Sequence, residues 1–135
     1  MSYKPVLFHA EEENRNPVYH TNVLLCIGDG FSIACLDSVK DVQERKQLAD
    51  SLSQNRNALI EITLSQIHQF AANALALQNK YGEQVLVISS RGWKALDGNQ
   101  QSSIQTFCHK IITPDLNVIE TCGGGSARCM LAELF

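Results

Sequence analysis

The stretch Asn22-Val23-Leu24-Leu25-Cys26-Ile27-Gly28-Asp29-Gly30-Phe31-Ser32-Ile33-Ala34-Cys35-Leu36 decides the fold. Two apolar runs, 22–27 and 31–36, flank Gly-Asp-Gly, a three-residue loop with glycine where a hairpin needs positive φ. Each run is short and bounded by turn residues, so the pair reads as two antiparallel strands. Beyond it, Asp41-x-x-Glu44 resembles a capping box that opens a helix running to about Asn55, with Val42, Leu48, Ala49 and Leu52 as its apolar stripe. A strand over Ala58 to Thr63 follows. The unit is strand, strand, helix, strand.

The same order recurs downstream. A strand over Ala74 to Asn79, a turn at Lys80-Tyr81-Gly82-Glu83 and a strand over Gln84 to Ser89 lead to a helix expected from about Ser103. Ser102-x-x-Gln105 reads there as a second capping box, with Ile104, Phe107 and Cys108 on one helix face. The strand Lys110 to Thr113 closes the unit. The two units start at residues 22 and 74, a period of the size that marks modular repetition. Their joins are a short turn or helix around Ser65 to Phe70 and the Pro114-Asp115 turn. Strands are also expected at Val6 to Phe8, at Val118 to Glu120 and near Arg128 to Leu134. The chain thus reads as one α/β domain over residues 1–135, with ββαβ modules at about 22–63 and 74–113.

Composition bounds the function. A chain of 135 residues suits one core, and 44% hydrophobic with 19% charged residues is globular rather than disordered composition. The net charge of -3, without a basic stripe, argues against nucleic acid and anionic membrane as partners. No run approaches the ~20 apolar residues of a membrane span, and the start is too short in its apolar run for a signal peptide, so a cytoplasmic location is expected. The five cysteines, Cys26, Cys35, Cys108, Cys122 and Cys129, are odd in number and form no C-x-x-C pair. Reduced thiols are expected, with no disulfide framework, no metal and no cofactor. Cys26, Cys35 and Cys108 sit among apolar neighbours and read as core. His9, His68 and His109 have no ligand-like partner at helical or hairpin spacing, and Glu11-Glu12-Glu13 reads as a solvated loop.

The segment Gly123-Gly124-Gly125-Ser126-Ala127-Arg128-Cys129-Met130 carries the chemistry. Three glycines allow unusual backbone angles and close approach of a ligand, and a thiol presented there is a candidate nucleophile. The plainer alternative is a turn beside one more buried cysteine. An anion-binding loop has little support, because no Lys-Ser/Thr tail and no long helix pattern follow the glycines.

Pro17-Val18-Tyr19-His20-Thr21-Asn22-Val23, then Phe70-Ala71-Ala72-Asn73, then the Gly123–Met130 segment, in this order, resemble the guanidino-group-modifying superfamily. These proteins, the penteins, include arginine deiminases, amidinotransferases and dimethylarginine hydrolases; the strongest likeness is to the arginine-deiminase-related citrulline-utilisation hydrolases. The resemblance implies a partial α/β propeller with two complete ββαβ modules, since penteins set five such modules around a central channel. It implies Cys129 as nucleophile, attacking the central carbon of a guanidino or ureido group, and His20 as the acid and base. Asn22, Asn73, Gly125 and Arg128 would bind substrate or fix the loops around it. Several deiminases and amidinotransferases have aspartate two residues after the catalytic histidine. Asn22 stands there instead, which favours a neutral ureido substrate such as citrulline.

The resemblance covers about the C-terminal half of a family chain, and the superfamily's catalytic carboxylate belongs to the other half. Two expectations follow. The chain is the cysteine-bearing half of a hydrolase of citrulline- or arginine-like small molecules, or it is a truncated relative that folds and self-associates without catalysis. Uncovered module faces further imply a homo-oligomer or a complementary N-terminal-half chain.

Overall fold

The computed structural model describes residues 4–132. Two three-stranded sheets, each one antiparallel and one parallel pairing, make a mixed α/β architecture. In the first sheet β1 (Leu25–Ile27) pairs antiparallel with β2 (Phe31–Ala34), from Leu25 opposite Ala34 to Ile27 opposite Ser32. Helix α1 (Val42–Leu52) carries the chain back, so that β3 (Ala58–Glu61) lies parallel to β2 with Phe31 opposite Ala58. The second sheet repeats the plan. Here β4 (Leu75–Gln78) is antiparallel to β5 (Gln84–Val87), which is parallel to β6 (Lys110–Ile112). Between them lie α2 (Leu64–Ile67), α3 (Ser90–Ala95) and α4 (Gly98–Gln105), and after β6 come α5 (Asn117–Gly123) and α6 (Ala127–Met130). Among the described residues no helix is long and apolar enough to cross a membrane.

All four residues of β2 are buried, as a central strand covered on both faces requires. One core runs through both sheets and includes Phe31, Ile33, Ile60, Leu86, Ile88 and Ile104. A second, smaller cluster of Ala34, Leu36, Val39, Leu48 and Leu52 seats α1 on the first sheet. The hairpin glycines follow from the same packing. Gly30 has φ +81, and a side chain at Gly28 would overlap the Phe31 ring. That ring stacks on Phe107, centroids 5.6 Å apart, across the boundary between the sheets.

Glutamine amides join the modules. Gln84 of β5 accepts from the Asp29 N–H at 2.6 Å and donates to the Asp29 carbonyl at 3.0 Å, gripping the β1–β2 loop. Thr63 and Gln66 form a capping box at α2, Asp97 and Gln100 form one at α4, and the two glutamines bond each other at 2.7 Å. The Gln100 amide also donates to the Glu61 carbonyl at 2.7 Å.

Several expected elements are displaced. Asn22 lies in a 3-10 turn over Thr21–Val23 rather than in a strand, and Leu36 opens another short turn. Helix α1 stops at Leu52 because Asn55 and Arg56 take positive φ. Asp41 caps it as expected, accepting from the Gln43 and Glu44 N–H groups, but the Glu44 carboxylate binds His9 instead of closing the box. That bond also explains why Val6 to Phe8 is no strand: the His9 N–H goes to Glu44 at 2.6 Å, not to a ladder. The helix expected from Ser103 is two helices. Ser89 caps α3 through the Gly92 N–H, and α4 starts at Asp97, so Ser102-x-x-Gln105 falls inside it. Val118 to Glu120 is helical, because Asp115 accepts the Asn117 N–H at 3.1 Å and starts α5. Arg128 also lies in a helix, α6; residues 133 and 134 of the strand expected there lie outside the described residues.

Candidate active site

Three loops deliver three side chains to one point. Asn22 is the middle residue of its 3-10 turn, closed by the Val23 N–H on the His20 carbonyl at 3.0 Å and anchored by Leu24, which is 1% exposed. Asn73 ends a tight turn that follows α2. Phe70 takes φ +63 there, costly for a residue with a Cβ, and its carbonyl accepts the Asn73 N–H at 3.0 Å. The carbonyl also explains Gly92, since any Cβ at that position would come within 2.8 Å of the Phe70 oxygen. Cys129 sits on α6, reached through Gly124 in the left-handed conformation at φ +66. A Cβ on Gly125 would lie 3.4 Å from the Cys129 sulfur, so glycine there leaves the thiol open on that side.

At the point of convergence two carboxamide nitrogens face one sulfur. Asn73 Nδ2 is 3.2 Å and Asn22 Nδ2 is 3.6 Å from Cys129 Sγ. The orientation of the Asn73 amide is dictated by its neighbours. The Arg128 N–H can only donate, and it lies 3.0 Å from Asn73 Oδ1, so Nδ2 must point to the sulfur and to the Asn22 carbonyl, 3.3 Å away. Asn73 is 1% exposed, so this arrangement is fixed from all sides. Asn22 Oδ1 is buried without a hydrogen-bond partner among the described residues.

Burial divides the five thiols. It pushes the Cys26 thiol up to about 12, partly offset by the charge of Arg128, pushes Cys108 up to about 11, and raises Cys35 as well. Buried thiols held protonated are poor nucleophiles. Cys122 and Cys129 are exposed, and Cys129 alone of the five accepts amide N–H groups from Asn22 and Asn73.

The structure therefore brings Asn22, Asn73, Gly125, Arg128 and Cys129 together. Arg128 acts on the site through its backbone, while its side chain lines a cleft of about 200 Å³ with Thr21, Asn22, Ile27 and Leu75. His20 enters by chain continuity, two residues before Asn22, but its imidazole is exposed and makes no hydrogen bond among the described residues. A larger depression of about 620 Å³ lies over α1 and contains none of these residues.

One carboxylate near the loop escaped the sequence. Glu120, 3% exposed, accepts the Ser126 hydroxyl at 2.6 Å. Its neighbours Val118 and Ile119 are β-branched and read as a strand, so nothing in the pattern turned Glu120 toward Ser126. His9 and His109 also have partners, Glu44 at 3.0 Å and Glu83 at 3.5 Å, and both are surface pairs.

A family model described as "N,N dimethylarginine dimethylhydrolase, eukaryotic" matches residues 1–135. No curated protein sequence matches. Among solved structures, ArgZ, an arginine dihydrolase from the ornithine-ammonia cycle in cyanobacteria, is similar with TM-score 0.66 and 14% identity over 92% of this chain. AgrE, solved as a ternary complex with ornithine and NAD+, is similar with TM-score 0.55 and 19% identity over 82% of this chain. The chain spans 17% of the length of the first and 14% of the second. These likenesses support the α/β fold. The family model matches from end to end, and the chain belongs to the dimethylarginine dimethylhydrolase family, within the guanidino-group-modifying pentein superfamily.

Proposed function

We propose that this chain supplies the nucleophile side of a cysteine hydrolase acting on guanidino or ureido groups, citrulline and arginine being the small-molecule class. The observation that carries the reading is the Cys129 sulfur lying under the carboxamide nitrogens of Asn73 and Asn22 at 3.2 and 3.6 Å. Such donors stabilise a thiolate as they would any anion, at little reorganisation cost because Asn73 is locked. In the reaction Cys129 Sγ bonds to the central carbon, a C–N bond breaks, and the leaving amine takes a proton from the His20 imidazolium. Water, deprotonated by the same imidazole, then cleaves the S–C bond and returns the thiolate and the imidazolium. The catalytic carboxylate comes from elements that complete a propeller-like ring around this site, from a complementary chain or segment.

The test is site-resolved labelling with 2-chloroacetamidine, which presents an amidinium to the thiol. Cys129 is expected to label about tenfold faster than Cys122, the other exposed thiol, or more. Equal rates would make the chain a relative that has lost its chemistry.

Substrate charge is read at Asn22. With a neutral amide there, the ureido group of citrulline is preferred. Asn22→Asp is expected to raise the ratio of arginine to citrulline hydrolysis by about tenfold in the completed enzyme, because a carboxylate pairs with guanidinium and repels a carbonyl oxygen. An unchanged ratio in steady-state assays would remove Asn22 from substrate selection.

The same reading includes self-association or pairing with a complement. Val118, Ile119, Met130 and Leu131, on α5, α6 and the residue beyond, are 76%, 46%, 44% and 42% exposed. A mass above that of one chain is expected from light scattering at micromolar concentration.

A further inference from the structure

Glu120 is the buried carboxylic residue among the described residues, and the reaction above does not use it. It is 3% exposed, its Oε1 accepts the Ser126 hydroxyl at 2.6 Å, and its Oε2 is buried without a partner among the described residues. A buried carboxyl with an unsatisfied oxygen is costly and calls for an explanation. Ser126 is unusual too. It stands at the N-cap of α6, where a serine hydroxyl ordinarily accepts an N–H of the first turn, yet it makes no capping bond. Its hydroxyl is turned away from the helix and donated to Glu120 instead.

The segment between them explains the arrangement. Gly123, Gly124 and Gly125 carry no side chains that could hold the chain, and Gly124 is left-handed. A triple glycine has the largest conformational freedom to lose on ordering. The bond from residue 120 to residue 126 closes this segment into a ring, from α5 on one side to the start of α6 on the other. Beyond the ring, the Ser126 carbonyl accepts the Cys129 N–H at 3.0 Å, and the Arg128 N–H reaches Asn73 Oδ1 at 3.0 Å. Moving Ser126 therefore moves both the thiol and the peptide that orients the Asn73 amide.

We infer that Glu120 is a positioning residue for the nucleophile: through the Ser126 hydroxyl it fixes the triple-glycine loop so that Cys129 Sγ meets the amides of Asn73 and Asn22. The inference rests on the proposed function for its chemical meaning and on the 120–126 bond for its geometry. Glu120 touches neither the sulfur nor the cleft, so its action passes through Ser126.

Two measurements on Glu120→Ala, Glu120→Gln and Ser126→Ala test it. By hydrogen exchange, the alanine variants are expected to lose protection over residues 124–130 while α1 keeps its own. By 2-chloroacetamidine labelling, Cys129 is expected to slow about tenfold in both, the scale of loss that a small misplacement of a reacting group produces. Cys26, Cys35 and Cys108 report on the rest of the fold and are expected to stay unlabelled. Glu120→Gln keeps an acceptor for Ser126 and is expected to stay within about twofold of the unsubstituted chain on labelling, as rescue by a conservative side chain requires. Unchanged exchange over 124–130 in Glu120→Ala would overturn the inference, as would deprotection that also opens the buried thiols. Should Cys129 label no faster than Cys122 in the unsubstituted chain, the hydrolase reading falls, while the exchange result still decides the positioning.

Discussion

Asn73→Asp is expected to slow the labelling of Cys129 about a hundredfold while leaving the fold intact. The substitution changes one buried nitrogen to oxygen. One carboxylate oxygen still accepts the Arg128 N–H, as Asn73 Oδ1 does at 3.0 Å, so the other must face Cys129 Sγ from the present 3.2 Å position of Nδ2. A donor to the sulfur becomes a negative charge beside it. At such a distance two like charges repel by about 4 kcal/mol near a protein surface, and the open side of the sulfur reduces this to ~2–3 kcal/mol. The thiol then keeps its proton and donates it to the carboxylate. Labelling within about twofold of the unsubstituted rate would show that the Asn73 amide does not stabilise the thiolate.

Phe31→Ala is expected to cost about 3–5 kcal/mol, the usual range for emptying a buried phenylalanine site. Phe31 is 0% exposed, fills the space that Gly28 leaves beside it, and stacks on Phe107 of the second module, whose ring lies against Gly30. Against a total of roughly 5–15 kcal/mol for a domain, the loss brings the chain near its unfolding threshold. Urea unfolding followed by far-ultraviolet circular dichroism checks it, and a cost under about 1 kcal/mol would show that the modules do not depend on this contact.

Much of this fold is legible in residue patterns, and the failures have physical causes. The hairpin at Gly28-Asp29-Gly30, the turn at Gly82 with φ +80, and strands β3 and β6 follow from glycine and from short apolar runs. Where sequence misled, a long-range contact overrode a local preference. Gly92 and Gly98 argue against helix locally, yet both are helical because Ser89 caps α3 and Asp97 caps α4, and residue 92 is glycine because the Phe70 carbonyl leaves no room for a Cβ. Val118 and Ile119 favour strand, yet Asp115 starts a helix there. The site divides the same way. Cys129, Asn22 and Asn73 could be named through their motifs, but the 107 and 56 residues that separate the asparagines from the cysteine hide the contact from any local reading. The bond of Glu120 to Ser126 had no motif at all.

The glutamine joints between the modules have a consequence for solution conditions. The side-chain amides of Gln66 and Gln100 meet each other and backbone carbonyls, that of Gln84 meets the backbone of Asp29, and no carboxylate or cation takes part in these bonds. Amides do not attract counterions, so added salt leaves these bonds untouched, whereas it weakens the exposed His9–Glu44 and His109–Glu83 pairs. Salt therefore loosens the periphery first, while the two modules, and with them Asn22, Asn73 and the cysteine that follows the second module, stay in register.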